Sequence, residues 1–354
     1  MTSGIDEAAA ELQGSLFGEV SPAIDSPGAA LARSYPVRIT VVGAGDVGVA
    51  CAYNILTRDI CSELVLVDVL KDKLKGQVMD LQHGGAFYST RIRAAESYED
   101  TAHSAVCIIT AGVRQRPGES RLELMDRNAA LFKGIIPPLV QYSPNTILLV
   151  VSNPVDLLTH LAWQMSGLPR ERVIGSGTYL DSSRFRTLLA QRLGIDTASV
   201  QAMVLGEHGD SSFVYRSGIT VGGVPLRTCF ERMTDAASAS TAFYDLVKGV
   251  HQQVVAAAYE VIKLKGYTNW AIGSAVGSIV TTIVHDRRKV LPITTHAGSL
   301  RGLESADVFL SLPCVLGRNG VVEVLQILPF MESDEKEDLQ SSIEALQSTP
   351  KKAS

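Results

Sequence analysis

The chain is poor in several features, and each absence excludes something. Cysteine is scarce: Cys51, Cys61, Cys107, Cys229 and Cys314 are odd in number, scattered, and free of CxxC or Cys/His spacing. That excludes a disulfide framework and a zinc site, and predicts reduced core thiols in a cytosolic protein with no bound metal. Long apolar runs are absent. The longest uncharged stretch, Gly266 to His285, is interrupted by Gly, Ser, Thr and Asn, which predicts a buried helix, not a membrane span. Aromatic residues make up only 6% of the chain, and no basic run or aromatic-studded patch occurs, so nucleic acid is not an expected partner. The first 35 residues hold one arginine, five acids and no apolar core, a pattern that fits neither a secretory signal nor an Arg-rich transit peptide.

What is present is a globular composition. Hydrophobic residues reach 46% of 354, and the net charge is −5, enough chain for two domains with a sizeable core. The acidity sits at the ends. Residues 1 to 36 carry −4 and residues 331 to 354 carry −3, which leaves +2 for the body. Acidic tails are ordinarily solvated, whereas the body leans towards anions.

Residues 1 to 36 are rich in Ala, Gly, Ser and Pro without a sustained period and are read as a flexible arm. From Val37 short β-branched runs alternate with helical stretches: 37–42, a helix to about 58, 64–69, a helix through 81, 106–111, a helix over 121–142, and 147–151. Strands apolar on both faces that alternate with helices mean a parallel sheet with right-handed crossovers. The second half changes character. The pattern predicts a helix over 180–193 ending at Gly194, a hairpin turning at Gly222-Gly223 between 217–221 and 224–226, helices over 241–265 and 270–285, strands at 308–312 and 321–327, and a last helix capped by Ser333 with Leu339, Ile343 and Leu346 on one face. The expected architecture is α/β: a Rossmann-type doubly wound parallel sheet (37–177) followed by an α+β substrate domain (178–350).

Gly43-Ala44-Gly45-Asp46-Val47-Gly48 follows the first strand and opens its helix. The first glycine permits the tight turn, the second admits a pyrophosphate to the backbone at the helix N-terminus, and the third allows helix to pack on strand. Asp68 ends the next strand 20 residues after Gly48. There a carboxylate accepts bonds from ribose hydroxyls and repels a 2′-phosphate, so the expected cofactor is NAD.

Gly206-Glu207-His208-Gly209-Asp210 places a histidine between glycine turns after the strand-like run Val200–Leu205. Hydride transfer at a C–OH needs a group that exchanges the hydroxyl proton near neutral pH, which suits imidazole; a structural hydrogen-bonder is the alternative. Asp181 and Arg184 stand at i and i+3, on one helix face. They can orient an imidazole and grip a carboxylate, or form an ordinary intrahelical ion pair. The polar run from Gly112 to Arg121, with Arg114, Gln115 and Arg116, suits a loop that closes over a site, with Arg121 stabilising a developing alkoxide; solvated arginines are the alternative. Asn153 ends a buried strand, where ligands of open α/β sheets bind, or merely starts a turn.

Seven segments together resemble the lactate/malate dehydrogenase family, and most closely its NAD-dependent L-lactate branch: GAGDVG (43–48), LVDV (66–69), GVRQRPGESR (112–121), VSNPVD (151–156), GTYLDSSRFR (177–186), GEHGD (206–210) and KGYTNWAIG (265–273). The likeness covers roughly residues 37 to 330; residues 217–226 and 259–273 resemble plant-type members most. The resemblance implies that His208 is proton donor and acceptor, Asp181 its carboxylate partner, Arg184 the anchor of the substrate carboxylate, and Arg121 the group that polarises the C2 oxygen. It implies that Asn153 contacts substrate and nicotinamide and that Thr268 lines the pocket. The NAD contacts it implies are Gly43, Gly45, Asp46, Val47, Gly48 and Asp68.

Gln115 falls where malate dehydrogenases of the family carry an arginine. A neutral side chain there leaves a second substrate carboxylate unpaired, at a cost of ~2–5 kcal/mol, so pyruvate and L-lactate are the expected pair. The alternatives are malate dehydrogenase, a relaxed 2-keto acid reductase, or a non-catalytic NAD-binding protein. The family implies a cytoplasmic homotetramer. Tyr179 and Asn269 depart from its usual asparagine and serine. Arg186 matches one half of a fructose 1,6-bisphosphate site, but Gln201 stands where such members carry histidine, so no activation by that sugar is expected.

Overall fold

The computed structural model describes residues 11–19, 37–113 and 121–348. A short helical segment α1 (residues 11–16) leads into strand β1 (Phe17–Glu19). The first half then runs β2 (Arg38–Val42), α2 (Asp46–Thr57), β3 (Glu63–Val67), α3 (Lys71–His83), β4 (Arg91–Ala94), β5 (Val106–Ile109), α4 (Arg121–Tyr142), β6 (Ile147–Val150), α5 (Val155–Ser166) and β7 (Val173–Gly175). The second half contains α6 (Tyr179–Leu193), β8 (Val200–Gln201), β9 (Val204–Leu205), β10 (Phe213–Val214), β11 (Thr220–Val221), β12 (Val224–Pro225), α7 (Leu226–Glu231), α8 (Ala236–Lys265) and α9 (Trp270–Val284). It closes with β13 (Lys289–His296), β14 (Phe309–Gly317), β15 (Gly320–Leu325) and α10 (Ser333–Gln347).

One ten-stranded sheet organises the molecule, in the order β1-β15-β14-β13-β7-β6-β5-β2-β3-β4. The run from β7 to β4 is parallel. Its six strands, counted along the chain, follow the 3-2-1-4-5-6 order of a doubly wound sheet, whose reversal point lies between β2 and β5. Strands β5 and β6 are buried throughout because helices cover both faces. The second half returns to extend this sheet: β13 pairs antiparallel with β7, then β14 and β15 follow.

Two helices weld the halves together. Small residues let α9 lie directly on α2: a Cβ at Gly273 would stand 2.8 Å from the carbonyl of Ala50, and one at Gly277 would stand 3.1 Å from the Asn54 Cβ. Four residues further along one helix meet four further along the other, so the helices run the same way and their N-termini share one end. The expected burial of the uncharged stretch is met by α9, of which nine residues are buried. Among the described residues no helix is long and apolar enough to cross a membrane.

Several expectations need correction. Of the arm read as flexible, residues 1–10 and 20–36 lie outside the described residues, whereas residues 17–19 form β1, which pairs antiparallel with β15, Phe17 opposite Leu325. Helix α8 begins at Ala236, five residues before the expected start, because Asp235 caps it by accepting a bond from the Ser238 N–H at 3.1 Å. The last helix is capped by Glu332, not Ser333, in a reciprocal box with Glu335; Leu339, Ile343 and Leu346 are buried as expected. The run 200–205 splits into β8 and β9, which join different small sheets. The hairpin keeps its Gly222-Gly223 turn, but its strands shrink to β11 and β12. Strands β4, β7 and β13 were not anticipated. All five cysteines are free thiols, four of them buried, and burial pushes Cys51 and Cys61 up to about 12 and Cys107 to about 11.

Candidate active site

The glycine loop sits at the reversal point of the sheet. Gly43 has φ of +99°, a conformation that favours glycine, and a Cβ there would stand 2.6 Å from the backbone nitrogen of Ala111 after β5. A Cβ at Gly48 would overlap the Gly43 carbonyl oxygen, so α2 can pack this close only without a side chain. Gly45 is exposed, and nothing would touch a Cβ placed on it. It is the N-cap of α2, with no side-chain cap, and Asp46 and Val47 form the first turn. Asp68, just past β3, accepts from the Ala44 N–H at 2.6 Å and the Leu70 N–H at 2.9 Å. A carboxylate has lone pairs for further donors beyond these two. Open space over an uncapped helix N-terminus, bordered by a carboxylate, fits the pyrophosphate and ribose of a dinucleotide.

Helix α6 carries Asp181 in its first turn, where burial leaves it only 8% exposed. One carboxylate oxygen lies 2.6 Å from His208 Nδ1, and the other accepts from Arg184 Nη1 at 2.8 Å. Three residues singled out from two separate segments therefore form one unit. The bland reading of Asp181 and Arg184 as an ion pair is true and incomplete, because the same carboxylate holds the imidazole. Burial acts to lower the His208 pKa, but the charge and hydrogen bond of Asp181, with a contribution from Asp156, outweigh it and the net shift is upward. Burial raises Asp181, yet His208 and Arg184 together bring it below the usual carboxylate value. The unit is suited to an imidazolium at neutral pH with its proton-bearing Nε2 directed away from Asp181.

Asn153 follows β6 and is exposed; its Oδ1 accepts from the Val155 N–H at 3.3 Å and its carbonyl from Asn128 Nδ2 at 3.1 Å. Asn128 was not anticipated. Fully buried in α4, it also accepts from the Val113 N–H at 2.9 Å, tying the start of the 112–121 loop to the Asn153 turn. Gln115, with Arg114 and Arg116, lies outside the described residues; Arg121 opens α4. Thr268 is half-buried ahead of α9, and Asn269 beside it accepts from Lys265 Nζ at 2.5 Å. Tyr179 Oη lies 3.0 Å from Ser278 Oγ, linking α6 to α9. Arg186 Nε donates to the Val200 carbonyl at 2.7 Å, and Gln201 is exposed.

The groups that hold the His208 loop carry no signal in the sequence. Asp156 accepts from the His208 N–H, and Ser342 in α10 accepts from the Glu207 N–H at 3.2 Å and donates to the Ser211 carbonyl. His251 Nε2 lies 3.1 Å from Ser212 Oγ, and burial lowers its pKa. Asp156 belongs to the VSNPVD segment, but only its contact across 52 residues gives it a role. Among the described residues no group of three or more His, Cys, Asp or Glu could hold a metal ion.

Residues 37–175 match the family model for the lactate/malate dehydrogenase NAD binding domain, and residues 178–354 match that for the lactate/malate dehydrogenase alpha/beta C-terminal domain. The L-lactate dehydrogenase A chains of Parachaenichthys charcoti and Champsocephalus gunnari are each 50% identical over 309 residues, covering 87% of this chain and 91% of theirs. That of Notothenia neglecta is 49% identical over the same length.

Proposed function

The chain belongs to the lactate/malate dehydrogenase family, and from that premise we propose that it is an NAD-dependent L-lactate dehydrogenase, which interconverts pyruvate and L-lactate. The observation that carries the reading is the shared carboxylate of Asp181, 2.6 Å from His208 and 2.8 Å from Arg184. It couples a proton-exchanging group to an anion-binding one, as a 2-keto acid requires.

When bound along the glycine loop, NADH would supply the hydride that the reduction of pyruvate at C2 requires. Arg184 pairs with the substrate carboxylate and fixes its orientation. Arg121, brought in with the 112–121 loop, polarises the C2 oxygen and stabilises the charge that develops on it. Protonated His208 gives its Nε2 proton to that oxygen, while Asp181 holds the ring and stabilises its charged form. In lactate oxidation neutral His208 takes the proton back. Asn153 contacts substrate and nicotinamide, and Thr268 lines the pocket. Gly43, Gly45, Asp46, Val47, Gly48 and Asp68 hold the adenosine and pyrophosphate half of the dinucleotide. Gln115 selects pyruvate by leaving no cation for a second carboxylate. We assign the arm to 1–36, the NAD-binding unit to 37–177 and the substrate unit to 178–350. The family implies a homotetramer in the cytoplasm whose partners are small molecules.

Arg114 and Arg116 flank Gln115 and favour a second reading, a relaxed 2-keto acid reductase or a malate dehydrogenase. NADH oxidation followed with pyruvate and oxaloacetate side by side, and repeated with His208→Asn, decides between them. Faster turnover of pyruvate, lost in the variant with NADH binding retained, supports the reading. Preference for oxaloacetate favours the second, and normal turnover in His208→Asn removes His208 from the chemistry. A stoichiometric NADH complex with no turnover of either acid would point to a non-catalytic protein.

A further inference from the structure

Asp156 is a buried carboxylate, 2% exposed, that the mechanism does not use. It stands in the first turn of α5, three residues after Asn153. One oxygen accepts from the backbone N–H of His208 at 2.7 Å, and the other from Thr294 Oγ1 in β13, also at 2.7 Å. Thr294 is itself fixed: it is fully buried and pairs in register with Gly175 on one side and Ser311 on the other. The backbone on either side of His208 is held as well. Gly206 exchanges two backbone bonds with Ser311, and Ser342 takes the Glu207 N–H.

We propose that Asp156 is a positioning residue for His208: it fixes the backbone from which the imidazole projects and adds a second negative charge, beside that of Asp181, that keeps the ring protonated. This rests on His208 being the acid and base of the reaction. A hydrogen bond to a charged acceptor is stronger than one between neutral groups, and a buried carboxylate close to an imidazolium favours its charged form. The ionisable groups around the pair are Glu207 in the same loop, Asp181 and Arg184 on α6, and His208 itself. Glu207 opposes ionisation of Asp156, and His208 favours it. Arg184 works against the charge on His208, so the two carboxylates are set against one guanidinium and a ring that must itself be charged.

The replacement Asp156→Asn tests this, because an amide oxygen still accepts from the His208 N–H and the Thr294 hydroxyl can turn to bond the other end. With NADH saturating, kcat/KM for pyruvate falls as pH rises through the His208 pKa. The inflection in Asp156→Asn is expected ~0.5–1 pH unit lower than in the parent chain, with kcat/KM on the alkaline side of it reduced about three- to tenfold and the Kd for NADH within about twofold. Thr294→Val keeps the carboxylate but removes one bond that keeps it ionised, and should move the inflection the same way by less. If Asp156→Asn does not fold, the Thr294→Val profile decides alone. An unmoved inflection, whatever the change in melting temperature, overturns the proposal and leaves Asp156 a purely structural group. Should His208→Asn retain turnover, the underlying reading fails instead.

Discussion

The side chain of Ser342, in the last helix, accepts the backbone N–H of Glu207 at 3.2 Å although 135 residues separate them. Its hydroxyl donates to the carbonyl of Ser211, so one buried group brackets the His208 loop from both sides. Ser342→Ala leaves a donor and an acceptor without their partner, at a cost of ~1–3 kcal/mol. The expected result is a melting temperature a few degrees lower and a several-fold loss of kcat, with the Kd for NADH unchanged. An unaltered kcat would detach α10 from the reaction.

Gln115→Arg should move preference from pyruvate towards oxaloacetate by more than tenfold in the ratio of kcat/KM values, since an arginine pairs with the second carboxylate. Initial rates on the two acids measure it. A ratio that stays put would mean that Gln115 does not set selectivity.

Stability should depend on pH through three groups around one loop. Burial lifts Asp156 from 3.8 to about 6, more than the bonds from Thr294 and His208 lower it. A folded-state pKa above the unfolded one gives stability that is complete below 3.8 and lost as pH rises through about 6, on the order of 3 kcal/mol. His208 adds to the same trend: its contribution is complete below 6.5 and lost as pH rises through its higher folded value. Asp181, held below 3.8, contributes above that value and loses it in acid. Urea unfolding at pH 5 and pH 8 should therefore give a smaller decline for Asp156→Asn than for the parent chain. Equal declines would show that Asp156 does not titrate in this range.

Gly273→Val should weaken the contact between α9 and α2, because a Cβ there would stand 2.8 Å from the Ala50 carbonyl. Overpacking of this kind costs ~1–3 kcal/mol. The expected outcome is weaker NADH binding together with a higher KM for pyruvate, read by fluorescence titration and initial rates. A change in thermal stability alone would mean that the contact does not bear on either ligand.

Much of the fold was legible because the first half obeys local rules. Strands such as Val106–Ile109 are apolar on both faces, and the glycine loop announces its own turn. Strand β13 escaped because Pro292 and the polar Thr294 and Thr295 break an apolar run, and only pairing with β7 and β14 makes it a strand. Strand β4, with the sequence Arg-Ile-Arg-Ala, has a single buried residue. The start of helix α8 is hidden in the sequence because Ala236 to Ser240 lacks large apolar residues, whereas the cap at Asp235 sets it. The candidate site was legible where the chemistry lies within one segment, as in Asp181 and Arg184. The supports were not: Asp156, Asn128 and Ser342 are ordinary residues in their own helices, and only folding brings them to the loops they hold.

The packing of Gly273 and Gly277 against Ala50 and Asn54 also limits how far this chain can be treated as modular. A chimaera that takes residues 37–175 from one relative and 178–354 from another inherits two helix faces shaped by different partners. A bulkier residue at position 50 then needs a compensating change at 273, so the two surfaces must be exchanged as a matched set. The unit that can be inherited independently is therefore larger than either half.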